Sequence, residues 1–161
     1  MKPKAFNPQK SIKRAKIKRA NSPKWVIVTS DGKVTWGNKM ERVALIREGL
    51  PYEVIETIGL KANLPTKKIL NYLGIAQTTY NKKKRDNDLL SGRDSEVVLV
   101  LSELLDFGLD VFNNEKEKFQ RWLKKPNMSL GNAAPDSFFD SLTGIQEVRN
   151  ALNRLEYGNM A

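Results

Sequence analysis

The chain has 161 residues, of which 40% are hydrophobic, so it is long enough to bury one compact core or two small ones. It contains no cysteine and no histidine, which excludes disulfides, thiol nucleophiles, imidazole bases and the usual zinc sites. The net charge of +10 is uneven, because the first 24 residues hold nine lysines and arginines and no acidic residue.

Residues 1–24 are predicted to form a basic, flexible tail. Three prolines interrupt this segment, and its like charges would repel one another in a helix. A phosphate-binding arm that does not read base sequence is the main alternative, and a targeting peptide is a third. Residues 25–90 hold eleven basic and seven acidic side chains, whereas residues 91–161 hold eight and eleven, so the two ends favour different partners.

A β-hairpin is predicted over residues 25–36. Two runs of β-branched and aromatic residues flank an Asp31-Gly32 turn, where glycine adopts a positive φ at little cost. An isolated hairpin is marginally stable in water, so this one must pack on something. We interpret Trp25 and Trp36 as its anchors to the helices, with a base-stacking platform as the alternative.

Residues 38–85 follow a helical pattern. The first helix should end at Gly49, and Pro51 suits the first position of the next helix, whose apolar stripe precedes Gly59. Residues 66–85 then predict a helix, a tight turn at Gly74 and a second helix, which is the helix-turn-helix plan.

The second helix of that plan carries the candidate DNA-binding residues. Its N-terminal side chains would meet base edges in the major groove, and the cations that follow would meet phosphates. The predicted set is Gln77, Thr78, Thr79, Asn81, Lys82, Lys83, Lys84 and Arg85. A purely structural or dimer-forming bundle is the alternative.

Residues 91–161 are predicted to contain helices only. A long, largely buried helix should run from Glu96 to about Phe112, capped by Asp94 or Ser95. A shorter helix should follow, and Pro126 would forbid its continuation. The last helix carries a capping-box pattern formed by Thr143 and Gln146.

Many unlike residues stand at fixed intervals in this half. They are Trp122, Leu123, Pro126, Asn127, Leu130, Gly131, Pro135, Gly144, Val148, Leu152, Glu156 and Gly158. This pattern resembles the motif of the C-terminal toxin-binding domain of Xre/MbcA/ParS-type antitoxins. A weaker match runs upstream to about residue 43, and Asn132 departs from the motif because a second glycine usually follows Gly131.

The resemblance implies a mainly α fold, with an N-terminal helix-turn-helix (Xre-like) bundle joined to a small all-α toxin-binding domain. Residues 1–37 lie outside the match, and the short β-hairpin near the N-terminus is predicted from its own residues. Residue patterns and resemblance together predict a basic tail over 1–24, a hairpin and DNA-binding or dimerisation domain over 25–90, and a toxin-binding domain over 91–161. The partner would be a RES-domain toxin that acts on NAD. The chain would be a homodimer within a larger toxin–antitoxin complex, would occlude the toxin's active site, and would repress its own operon by binding operator DNA.

Toxin contacts are expected on motif residues and on the end of the chain. The predicted set is Trp122, Pro126, Asn127, Leu130, Gly131, Glu156, Tyr157, Gly158 and Asn159. For Trp122 and Leu123 a place in the core of the domain is the favoured interpretation, and direct contact with the toxin is the alternative.

Three other functions are weaker interpretations of the same sequence. A free-standing helix-turn-helix regulator without a toxin rests on the same residues 66–85, and an RNA-associated protein rests on the basic tail alone. An enzyme is the least favoured, because no acidic pair is set in an active-site pattern, and no cofactor or metal is expected. No apolar run approaches the roughly 20 residues of a membrane span, so we expect a cytoplasmic protein without a membrane partner.

Overall fold

The computed structural model describes residues 8–9 and 25–158, so the predicted basic tail lies almost entirely outside the described residues. The described chain is mainly helical with one antiparallel hairpin near its N-terminus, which confirms the predicted fold class. Its elements are β1 (Trp25–Thr29), β2 (Gly32–Trp36), α1 (Lys39–Glu48), α2 (Val54–Ala62), α3 (Thr66–Leu73), α4 (Gln77–Arg85), α5 (Gly92–Val111), α6 (Lys116–Lys124) and α7 (Leu142–Glu156), with 3₁₀ helices at Met128–Leu130 and Pro135–Phe138.

The hairpin is fastened to the helices by its tryptophans. Trp25 and Trp36 are directly opposite in the β1–β2 register, and their rings stack with centroids 6.0 Å apart. Trp36 is 1% exposed, and its indole N–H donates to Glu103 of α5 at 2.7 Å. Glu103 also pairs with Arg42 of α1 at 2.8 Å. The anchoring role predicted for the tryptophans is confirmed.

Helix α5 lies at the centre of the fold. It contacts α1, α2, α6, α7 and β1, and nine of its residues are buried. The prediction of a central buried helix is therefore confirmed, but the predicted cap was wrong. The Ser91 side chain accepts from the Asp94 N–H at 3.1 Å, so the helix begins at Gly92.

Two other predicted helix starts were also wrong. Helix α2 begins at Val54, because Pro51 instead forms an isolated β-bridge with Leu89. Helix α7 is capped by Ser141, whose hydroxyl accepts from the Gly144 N–H at 3.0 Å, and not by Thr143. Helix α2 runs through Gly59 to Ala62.

The buried side chains form one continuous cluster that runs from the hairpin to α7. Polar contacts join the two halves of the chain as well. Lys68 of α3 donates to the nearly buried Asp136 at 2.8 Å, and this hydrogen bond raises the pKa of Lys68. The Tyr72 ring meets the buried Phe139 edge-on at 6.1 Å. Among the helices of the described residues, none is long and apolar enough to cross a bilayer.

Candidate functional site

The first candidate surface is built on α3, the turn at Gly74 and α4. Gly74 ends α3 with φ 69°, a left-handed conformation that glycine adopts at no steric cost. Leu73 and Tyr80 are buried between the helices. The Tyr80 hydroxyl donates to Glu56 of α2 at 2.8 Å, and burial together with this bond raises the pKa of Tyr80. Helix α4 is thereby held in one position against α2.

The N-terminal end of α4 is open to solvent. Gln77, Thr78 and Thr79 are all exposed, and the Gln77 side chain donates to Asn81 at 3.0 Å. Ala76 occupies the N-cap and offers no side-chain acceptor, so no cap side chain covers the first N–H groups. The polar residues predicted to read bases therefore share one exposed end of a helix, where its dipole is positive.

The four cations of α4 are not equally available. Lys84 pairs with Glu56, which lowers the pKa of that carboxyl, and Lys83 donates to Asp88 at 2.8 Å. Arg85 is 75% exposed at its side chain and lies 3.7 Å from Asp86. Lys82 makes no ion pair with any described residue. Lys82 and Arg85 are thus the cations best able to meet an external anion.

The second candidate surface lies in the C-terminal half, where Trp122 belongs to an aromatic cluster. Its ring centroid is 6.3 Å from that of the fully buried Phe119 and 5.9 Å from that of Phe112. Trp122 itself is only partly buried.

The predicted residues that follow α6 form a tightly bonded turn. The Asn127 side chain accepts from the Ser129 N–H at 2.9 Å and from the Ser129 hydroxyl at 2.7 Å. The Asn127 carbonyl accepts from the N–H groups of Leu130 and Asn132, and its own N–H donates to Ala133. Leu130 is buried, so its side chain anchors this hydrogen-bonded turn in the core.

The departure at Asn132 has a conformational explanation. Gly131 and Asn132 have φ values of 65° and 64°, so the turn needs two consecutive left-handed residues. Asparagine is one of the few residues other than glycine that enter this region readily. All five described non-glycine residues with positive φ are asparagines, so the chain uses this residue repeatedly for that purpose.

Sequence reasoning missed the residue that this turn presents to solvent. Met128 opens the 3₁₀ helix Met128–Leu130 and is 89% exposed, the highest value among the exposed large apolar side chains of the described chain. A signal was available, since Met128 is the one large apolar residue between Asn127 and Leu130. The family motif does not include this position, so the motif alone could not point to it.

The remaining predicted contacts lie at the end of α7. Glu156 is the last residue of that helix and is exposed, and Tyr157 is 74% exposed. Gly158 has φ 66°, and Pro126 is exposed at the other end of the set. Asn159 lies outside the described residues. Within residues 8–9 and 25–158, no group of three or more acidic side chains could hold a metal ion.

Comparison with known proteins gives a consistent result. The family model described as the antitoxin Xre/MbcA/ParS C-terminal toxin-binding domain matches residues 108–158. An antitoxin Xre of Yersinia enterocolitica is 30% identical over 113 residues, which cover 70% of this chain and 76% of that protein. An antitoxin Xre of Photorhabdus laumondii is 28% identical over 115 residues, covering 71% and 78%. A protein named Prs ADP-ribosylating antitoxin, of a Sphingobium species, is 26% identical over 130 residues, covering 76% and 82%.

Proposed function

The chain belongs to the Xre family of antitoxins, and from that premise we propose that it neutralises a RES-domain toxin by covering the toxin's active site. It is the antitoxin of a toxin–antitoxin system, it carries a toxin-binding domain, and it is not an enzyme. The identity of the toxin, the occlusion of its NAD site and repression of the operon are the proposed part.

The observation that carries the proposal is the match of residues 108–158 to a domain described as toxin-binding. Those residues contain the aromatic cluster around Trp122, the turn held by Asn127 and the exposed end of α7. Exposed aromatic and aliphatic groups on a firm frame are what a protein inhibitor needs, because they bind without reorganising.

The predicted toxin-binding residues divide into two proposed roles. Asn127, Leu130 and Gly131 shape the turn, since their polar groups or side chains are already engaged within the chain. Pro126 is exposed and Trp122 is partly exposed, and both precede that turn in the chain, so they remain available to a partner. Glu156, Tyr157 and Gly158, with Asn159 after them, would contact the toxin directly. Truncating Tyr157 should therefore weaken toxin binding more than it alters the fold.

We also propose that α4 binds operator DNA, and that the chain acts as a homodimer within the toxin–antitoxin complex. Support for DNA binding comes from the exposed polar end of α4 and from Lys82 and Arg85 beside it. The division into 1–24, 25–90 and 91–161 is kept as part of this proposal, with the basic tail adding contacts to phosphates.

Inhibition of the toxin tests the central claim. When the chain is titrated into the RES-domain protein encoded beside it, NAD consumption should fall and then cease near equivalence. Because occlusion of the NAD site means competition, raising the NAD concentration should increase the amount of antitoxin required. An antitoxin of the same family from a different toxin pair is the control.

Two results would contradict the proposal. The first is undiminished NAD consumption in the presence of excess antitoxin. The second is firm inhibition that does not depend on NAD concentration, which would exclude occlusion while leaving neutralisation intact. A chain that binds its operator but no neighbouring protein would instead be a free-standing regulator.

A further inference from the structure

Met128 exposes an unusually large apolar surface for a residue held so firmly. The residue is 89% exposed, although burial of a methionine side chain is favourable. Single exposed apolar residues are common on proteins and need no explanation by themselves. Met128 differs from such residues in the turn that holds it and in its place within the matched domain.

The backbone on either side of Met128 is fixed by hydrogen bonds. Asn127 caps the 3₁₀ helix through Ser129, and the Gly131 N–H donates back to the Met128 carbonyl at 3.2 Å. Leu130 ties the same helix to the core. A residue presented on such a turn loses little backbone entropy when it binds, which is the usual benefit of preorganisation.

The position of the turn suggests the partner. Met128 lies within the residues matched by the toxin-binding domain, and its 3₁₀ helix packs against α7. The methionine side chain is flexible and polarisable, so it fits apolar cavities of irregular shape. Energetic anchors of interfaces are side chains that enter such cavities and lose their water completely.

We propose that Met128 is an anchor residue of the toxin interface and inserts into an apolar pocket on the surface of the toxin. This inference rests on the proposed function, since it assigns a contact within the same complex. The turn held by Asn127 then serves to present one side chain rather than to touch the toxin itself.

The test compares two methionines that are both largely exposed. Met128→Asp places a charge in the proposed pocket and should raise the dissociation constant of the toxin complex about 10- to 100-fold. Met40→Asp is the matched control, because Met40 is 75% exposed on α1, outside the toxin-binding domain, and should change the constant less than about twofold. Met128→Ala, which adds no charge, should weaken binding in the same direction, whereas Met128→Leu should retain most of it.

The outcomes distinguish the role of Met128 from toxin binding by the chain as a whole. Wild-type chain that binds the toxin together with Met128→Asp that binds equally well would overturn the inference and leave the function standing. Equal weakening by Met40→Asp and Met128→Asp would also overturn it, because the effect would then come from net charge. Failure of the wild-type chain itself to bind would refute the proposed function. Matching thermal midpoints of all variants exclude unfolding as the cause.

Discussion

At the scale of single residues, Gly108 is one of two described glycines, with Gly144, where an added Cβ would have least room. A Cβ atom built on it would lie 2.2 Å from Cζ of Phe119, whose ring is fully buried. The neighbour is the ring of a core side chain, which cannot move without disturbing Phe112 and Trp122. Helices α5 and α6 approach each other closely only because this residue has no side chain.

We predict that Gly108→Ala lowers the free energy of unfolding by about 1–3 kcal/mol, the usual cost of overpacking a core. Gly92→Ala is the control on the same helix, because its Cβ would meet its nearest described neighbour, the Ile46 carbonyl oxygen, at an acceptable 3.4 Å. That variant should be neutral or slightly stabilising, since alanine favours the helix. Urea denaturation measures both, and equal stability of the two variants would contradict the packing argument.

The N-cap of α5 is a feature that local sequence could not predict. Ser95 was a reasonable cap for α5, but its hydroxyl accepts instead from the Leu50 N–H at 3.0 Å, 45 residues away in sequence. The Ser91 hydroxyl accepts from the Asp94 N–H instead, and Ser91 is therefore the N-cap of α5. Local sequence offers both serines equally, and only the tertiary contact distinguishes them. Asn132, by contrast, is explained as soon as its backbone angle is known.

At the scale of elements, α4 carries the prediction about DNA. The double variant Gln77→Ala with Thr79→Ala should weaken specific operator binding by about 1–3 kcal/mol for each base pair that is no longer read. Binding to unrelated duplexes should be nearly unchanged, because Lys82 and Arg85 remain. Measured affinities for operator and scrambled duplex at one salt concentration check this.

The chain provides a closely matched control for that experiment. Gln146 of α7 donates to Asn150 at 3.1 Å, as Gln77 does to Asn81, and Thr143 is exposed on the same helix. Gln146→Ala with Thr143→Ala should leave operator affinity at the wild-type value. If the α4 variant also binds the operator like the wild type, α4 does not read bases.

Most of the helices were predictable, and their ends were less so. Gly49 and Gly74 end helices as the sequence predicted, because a left-handed or open C-cap is a local requirement of the backbone. The helix start predicted at Pro51 was wrong, because a proline suits either a helix start or an isolated β-bridge. Its bridge partner, Leu89, is distant in sequence, so local sequence could not distinguish the two. For the candidate sites, sequence identified the framework residues of the turn but not Met128, whose exposure follows only from the folded backbone.

At the scale of the whole molecule, the two halves share one buried cluster and are further joined through Lys68 and Asp136. The boundary predicted at residue 90 falls just before α5, which contacts elements on both sides of it. The division into separate domains remains a prediction about function. Stability is expected to be a property of the chain as a unit.

We therefore predict a single cooperative unfolding transition for the full chain, with equal calorimetric and van't Hoff enthalpies. Phe139→Leu removes the ring that meets Tyr72 across the two halves, and should shift this one transition downward by roughly 1–3 kcal/mol in stability. Calorimetry of both proteins checks it. Two resolved transitions, of which the variant moves only one, would show that the halves unfold independently.

The stacked pair of Trp25 and Trp36 has an optical consequence. The electronic transitions of two indoles whose centroids are 6.0 Å apart couple to each other. Because the two rings are not parallel, the coupling gives a pair of circular dichroism bands of opposite sign. Since the two rings come from opposite strands, that signal exists only while the strands are paired. Circular dichroism could therefore follow the pairing of β1 with β2 separately from the helices, which dominate the rest of the spectrum.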